Sequence, residues 1–160
     1  MNLLRYLRFL LKSTNHHGVH SPFVFDYVTK CLYTRPRISK NKLDHVVLKS
    51  ISYFDYRSVY CQNNELARKL HKSSTRLEIN NPPYDLVILS SLHPQNLSEL
   101  FSSKKSHNNS MFVIPSLQKN WLEWQKFIRH PEVTVSIDCF YLGILFIRKE
   151  QVKEHFTIRL

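Results

Sequence analysis

The chain has 160 residues, 23 Lys and Arg against 12 Asp and Glu, and a formal net charge of +11. That length suits one domain with a real core and excludes two comfortable ones, and the ordinary apolar fraction of 42 % excludes a disordered chain. Basic residues are spread along the chain with no run of five, so the charge reads as a solvated surface first and as a nucleic-acid or acidic-partner face second.

Leu3, Leu4, Leu7, Leu10 and Leu11 recur at helical spacing between Arg5, Arg8 and Lys12, which predicts a basic amphipathic helix over the first dozen residues. Its leucine stripe is expected to pack on the domain or on a partner; attachment to a membrane surface is the sharper alternative. Those same basic residues break any secretory signal, and no apolar run is long enough to cross a bilayer, so a cytoplasmic location is expected. Ser21 and Pro22 predict an N-cap and first helical residue, with Val24, Val28, Cys31 and Leu32 on one face of the helix they open. His16, His17 and His20 lack the neighbouring carboxylates or cysteines that a zinc site needs, and no metal is assigned. Cys31, Cys61 and Cys139 lie far apart in apolar segments and are expected to be buried, reduced and inert.

A helix over 42–53 follows, carrying Leu43, Val46, Val47 and Ile51 inward. Residues 57–61 then predict a strand and 63–72 a helix on Leu66 and Leu70. Between them stand Gln62, Asn63 and Asn64, where a nucleotide-binding α/β domain places its glycine-rich turn. No glycine occurs between Gly18 and Gly143, which makes P-loop and dinucleotide sites poor readings. Residues 75–79 read as an extended edge segment. They are not a neighbour of the next strand, because a parallel crossover needs about a dozen residues and only 80–83 intervene.

Four apolar residues, Leu86 to Leu89, between Asn80-Asn81-Pro82-Pro83 and a polar end predict a strand covered on both faces. In an open α/β sheet the ligand crevice lies outside the carboxyl ends of the strands, which singles out Ser90, Ser91 and His93. His93 is the one candidate proton acceptor. A helix over 95–101, a polar loop over 102–109 and a short buried strand over 111–114 come next. A helix over 117–129 follows, with Trp121 and Trp124 read as core rather than as a ligand platform. Residues 133–138 and 142–147 predict an antiparallel pair, Gly143 marking a bulge or close packing, and the charged tail 149–160 offers Phe156 and Ile158 for docking. The expected organisation is a single domain over 1–160, with helices in 1–55 and an α/β core in 56–160.

Three blocks resemble a bacterial family of class I S-adenosylmethionine-dependent methyltransferases: His20-Ser21-Pro22-Phe23-Val24; Tyr84-Asp85-Leu86-Val87-Ile88-Leu89; and a long one from His130-Pro131-Glu132 through Leu142-Gly143 to Arg148-Lys149-Glu150-Gln151 and Glu154 to Arg159. Together they cover about a third of the chain. The resemblance implies a Rossmann-like, mostly parallel sheet with an antiparallel C-terminal hairpin, and S-adenosylmethionine as cofactor. It also implies losses. Gln62, Asn63 and Asn64 replace the family's Glu-x-Gly-x-x-x-Gly turn, Ser90 and Ser91 replace its Asp-Gly, and Pro115-Ser116 replace paired aspartates. The strands and helices around the adenosine are expected to be missing. These departures imply a catalytically degenerate, truncated domain acting as a binding or scaffold subunit for a protein partner or as a homo-oligomer. Two alternatives stay open: an active methyltransferase with a remodelled cofactor site, and a basic nucleic-acid-binding module using Tyr53, Tyr56 or Tyr60.

Overall fold

The computed structural model describes residues 3–13, 18–89, 99–101 and 104–160. Helix α1 (Leu3–Lys12) comes first. Helix α2 (Pro22–Asp26) starts on Ser21, whose hydroxyl accepts from the Val24 N–H, and continues without a break into a π-helical stretch, Tyr27–Leu32. Helix α3 (Lys42–Phe54) is capped by Asn41, whose Oδ1 accepts from Leu43 and Asp44, and stops at Asp55 in the left-handed region. Strand β1 (Ser58–Cys61), helix α4 (Asn64–Ser73) and strands β2 (Glu78–Ile79), β3 (Tyr84–Ile88) and β4 (Ser106–Pro115) follow. After a 3-10 turn (Leu117–Lys119) come helix α5 (Trp121–Phe127) and strands β5 (Val135–Asp138), β6 (Leu142–Phe146) and β7 (Glu154–Thr157).

Among the described residues the seven strands form one sheet in the order β2-β1-β3-β4-β6-β5-β7. Every neighbouring pair is parallel except the two made by β6, which runs against both β4 and β5. The period-two alternation of β3, β4 and β6 divides their side chains between two layers. Leu86, Ile88, Met111, Val113, Ile144 and Phe146 join Val24, Tyr27, Val46, Val47 and Leu70 on the side of α2, α3 and α4. Val87, Phe112, Ile114 and Leu145 join Trp124 and Phe127 on the side of α5. A sheet covered on both faces explains why these strands read as continuous apolar runs. Each such side chain contributes about 1.5–3 kcal/mol of burial. Cys31, Cys61 and Cys139 are all buried, and burial pushes the Cys31 thiol up to about 12. No described helix is long and apolar enough to cross a membrane.

Several expectations need correction. The region between β1 and β3 is not empty: α4 and the two-residue β2 occupy it, and β2 pairs in parallel with the far side of β1. It is an edge segment as expected. Yet β2 and β3 point the same way with only 80–83 between them, because β2 is so short that the chain climbs back past only two residues. The polar loop expected over 102–109 gives way at Ser106 to β4, with residues 107–110 looped out of register between the Tyr84↔Ser106 and Leu86↔Met111 pairs. Side chains hold this excursion: Ser110 Oγ donates to the Tyr84 carbonyl at 2.6 Å, and His107 meets Asp85 at 2.9 Å. The helix expected over 117–129 breaks at Asn120 into a 3-10 turn and α5. The tail adds a strand, β7, beside β5, burying Phe156 and Ile158. Of the helix expected over 95–101, only residues 99–101 are described, and Glu99 and Leu100 are helical.

The leucine stripe of α1 also turns the other way. Phe9 is buried and Arg5 and Tyr6 are half-buried against Phe140, while Leu3, Leu4, Leu7 and Leu11 are exposed. Aromatic side chains bury more area than leucine and meet an aromatic partner here, so they take the inner face.

Candidate functional site

With one exception the strands point the same way, so their carboxyl ends gather on one rim: Cys61 for β1, Ile79 for β2, Ile88 for β3, Pro115 for β4 and Asp138 for β5. The chain order reverses across β1 and β3, the place where an open α/β sheet binds its ligand. Gln62, Asn63 and Asn64 lie together on this rim at the start of α4; Ser90, Ser91 and His93 fall outside the described residues.

Two side chains of this corner, Asn63 and Asn80, bond to the protein's own backbone. Asn63 is the N-cap of α4, its Oδ1 accepting from Glu65 N–H at 3.0 Å and Leu66 N–H at 2.9 Å. Those are two of the donors that a helix N-terminus would otherwise offer an anion. Asn64 is the exposed first residue of the helix, and exposed Gln62 donates from Nε2 to the Tyr60 hydroxyl at 3.1 Å. Asn80, one residue past β2, stands at φ 61° with its amide turned onto β1: Cys61 N–H donates to its Oδ1 at 2.9 Å, and its Nδ2 donates to the Cys61 carbonyl at 3.4 Å. In a dinucleotide-binding sheet a carboxylate about 20 residues beyond the glycine turn takes the ribose hydroxyls. Asn80 occupies the corresponding strand end and spends both halves of its amide on one backbone unit.

Further along the rim, Ser116 follows β4 in the left-handed region, φ 54°, and the Leu117 N–H beyond it donates to the Tyr141 carbonyl. Across β6 from this end stands the carboxylate of Asp138, on β5. It is 5 % exposed, accepts from the Phe140 N–H at 2.7 Å and lies 3.8 Å from the Arg5 guanidinium. Burial raises its pKa against the opposing pull of that N–H and of Arg5; burial likewise lowers that of Arg5.

Asp138 belongs to a group the sequence reading missed. Ser136 and Asp138 of β5 stand opposite His155 and Thr157 of β7, in register, and Ser136 Oγ lies 2.9 Å from His155 Nδ1. With α1 on one side and α5 on the other, Asp138, His155 and Thr157 line a cavity of about 510 Å³. Arg5 crosses it, 4.2 Å from the ring centre of Trp121. Trp124 is core, fully buried as expected, whereas Trp121 faces this cavity. The available signal was the alternation Ser136-x-Asp138 and His155-x-Thr157 against apolar Val135, Ile137 and Phe156, which puts polar side chains on one face of two strands.

Among the described residues no three His, Cys, Asp or Glu side chains gather closely enough to hold a metal ion. Of the aromatics considered for base stacking, Tyr53 is exposed, but Tyr56 is buried with its hydroxyl on the Asn109 carbonyl and Tyr60 is half-buried against Tyr84. Fold and rim together define an α/β domain with both sheet faces covered and the β1 corner of its crevice bonded to itself. Comparison with protein-family models, with curated proteins and with solved structures returned no match.

Proposed function

We propose that this chain is a methyltransferase-like domain: the scaffold of a class I S-adenosylmethionine-dependent methyltransferase, without the transferase machinery, acting as a binding or scaffold subunit. Support for the scaffold comes from the strand succession β2-β1-β3-β4, which is that of a doubly wound sheet with its outermost strand removed, and from β6, antiparallel as the resemblance implies. The observation that carries the loss of transfer is Asn80. Its amide saturates the backbone of Cys61 where a cofactor's ribose would need a carboxylate, while Asn63 fills the start of α4. Methyl transfer needs the sulfonium carbon held in line with its acceptor at near-contact distance, and among the described residues Asn63 and Asn80 do not supply those anchors at the β1 corner.

The test pairs calorimetric titration of the chain with S-adenosylmethionine and its demethylated product with sedimentation of the chain alone and mixed with an active methyltransferase of the resembled family. The expected result is no saturable heat with either ligand and a stable complex, with itself or with the active enzyme. Saturable binding of S-adenosylmethionine by a strictly monomeric chain would overturn the reading in favour of an active, remodelled enzyme.

A further inference from the structure

We propose that the cavity between α1 and α5 is a binding site for a small phosphate monoester joined to a flat, hydrogen-bonding ring, the chemistry of a nucleoside monophosphate. The inference stands apart from the reading of the cofactor crevice, because none of Gln62, Asn63, Asn64 and Asn80 lines this cavity.

Five observations lead to it. The floor is polar where a sheet under a helix is normally apolar: Asp138, 5 % exposed, His155 and Thr157 line it, and buried Ser136, next to the cavity but not lining it, lies 2.9 Å from His155 Nδ1. The walls carry three cations, Arg5, Arg8 and Lys12, against the single carboxylate of Asp138, an excess of two positive charges that matches a phosphate dianion. His155 adds no charge near neutrality, since burial and then the proximity of Lys12 lower its pKa. Phe9, Trp121 and Ile128 supply apolar surface for a ring, and 510 Å³ lies within the usual range for small-molecule sites. Arg5 is held against Trp121 and Phe140, so its planar fork is oriented before any ligand arrives.

The fifth observation narrows the ligand. Gln118, also on the wall, has a buried Oε1 with no hydrogen-bond donor among the described residues. The dianionic phosphate of a monoester cannot satisfy an amide oxygen, because it carries no O–H and, like that oxygen, only accepts. A ligand that meets both the cations and Gln118 carries an anion at one end and an N–H or O–H donor at the other, as a nucleobase or ribose does.

The experiment is a calorimetric titration of the full chain with AMP, UMP, adenosine, inorganic phosphate and benzoate, repeated on R8Q/K12Q, on Q118L and on K40Q/K149Q. Arg8 and Lys12 are exposed, so their neutralisation leaves folding intact, which thermal melting checks. Lys40 and Lys149 are exposed and do not line the cavity, and their variant controls for charge alone. The expected result is saturable binding of AMP or UMP, with adenosine and phosphate each at least about tenfold weaker. R8Q/K12Q should weaken the nucleotide about tenfold or more, K40Q/K149Q less than about twofold, and Q118L should weaken the nucleotide but not inorganic phosphate. Absence of saturable nucleotide binding, an equal loss in K40Q/K149Q, indifference of the nucleotide to Q118L, or benzoate binding as tightly as AMP would each overturn the assignment.

Discussion

At the scale of single residues, the decisive positions are those where one side chain fixes a neighbour's options. Gly143 pairs with Ile114 on one side and Asp138 on the other in unbroken register, so no bulge explains it; close packing does. A Cβ built there would stand 2.5 Å from Cζ3 and 2.8 Å from Cη2 of Trp124, a ring that is fully buried and has nowhere to retreat. Gly143→Ala should therefore destabilise the fold by roughly 1–3 kcal/mol, measured by chemical denaturation. A neutral result would mean that Trp124 is not locked against β6. His45 sets the response to acid. It is 8 % exposed, with Nδ1 accepting from the Ile38 N–H and Nε2 near the Leu32 carbonyl, both at 3.3 Å, an arrangement that suits the neutral ring. Burial, the largest influence, lowers its pKa from the ordinary value. A base whose folded pKa is depressed is protonated preferentially in the unfolded chain, so its stabilising contribution is complete above about pH 6.5 and is lost as pH falls below it. Denaturation midpoints recorded from pH 7.5 down to pH 5 should fall, and His45→Gln should flatten that slope; an unchanged slope in the variant would remove His45 from the account.

At the scale of elements, α1 makes the sharpest contrast between what periodicity predicts and what packing selects. Helical spacing located the helix, but leucine and aromatic positions both recur at that spacing, and only the presence of Phe140 decides which face turns inward. Phe9→Ala should cost about 3 kcal/mol, whereas the double variant Leu7→Gln, Leu11→Gln should stay within about 0.5 kcal/mol of the parent, both read from denaturant midpoints. The reverse ranking would put the leucines on the buried face. The other elements were legible to the degree that their signals were local. Ser21 marked its helix start because an N-cap bond spans three residues; Asn41 and Asn63 cap α3 and α4 in the same way but were not singled out as caps. β3 and β6 are visible as apolar runs because both their faces are covered. β7 was not, since Glu154 and His155 interrupt its pattern and only pairing with β5 makes the segment a strand. The looped-out residues 107–110 concealed the start of β4 for the same reason: Ser106 pairs with Tyr84 at a distance in sequence that no local pattern reports.

At the scale of the whole molecule, the class of fold could be read and the chemistry of the rim only in outline. The missing glycine drew attention to Gln62, Asn63 and Asn64, and Asn63 turns out to cap a helix. The part played by Asn80 was hidden, because its meaning depends on β2 lying beside β1, a contact made across 19 residues. The cavity beneath α1 was hidden more deeply still: it draws Arg5, Trp121, Asp138 and His155 from four separate elements, each read alone as surface or core. The fold thus keeps a crevice whose β1 corner is sewn to itself and places an oriented cation elsewhere.

The most direct test of that closure follows the side-chain amides of Asn63 and Asn80, and the backbone amides of Cys61, Glu65 and Leu66, by nuclear magnetic resonance while S-adenosylhomocysteine is added up to about 1 mM. These resonances are expected to stay in place throughout. Saturable shifts centred on those five residues would contradict the account, because they would mean that the side chains sealing the end of β1 give way to an adenosyl ligand.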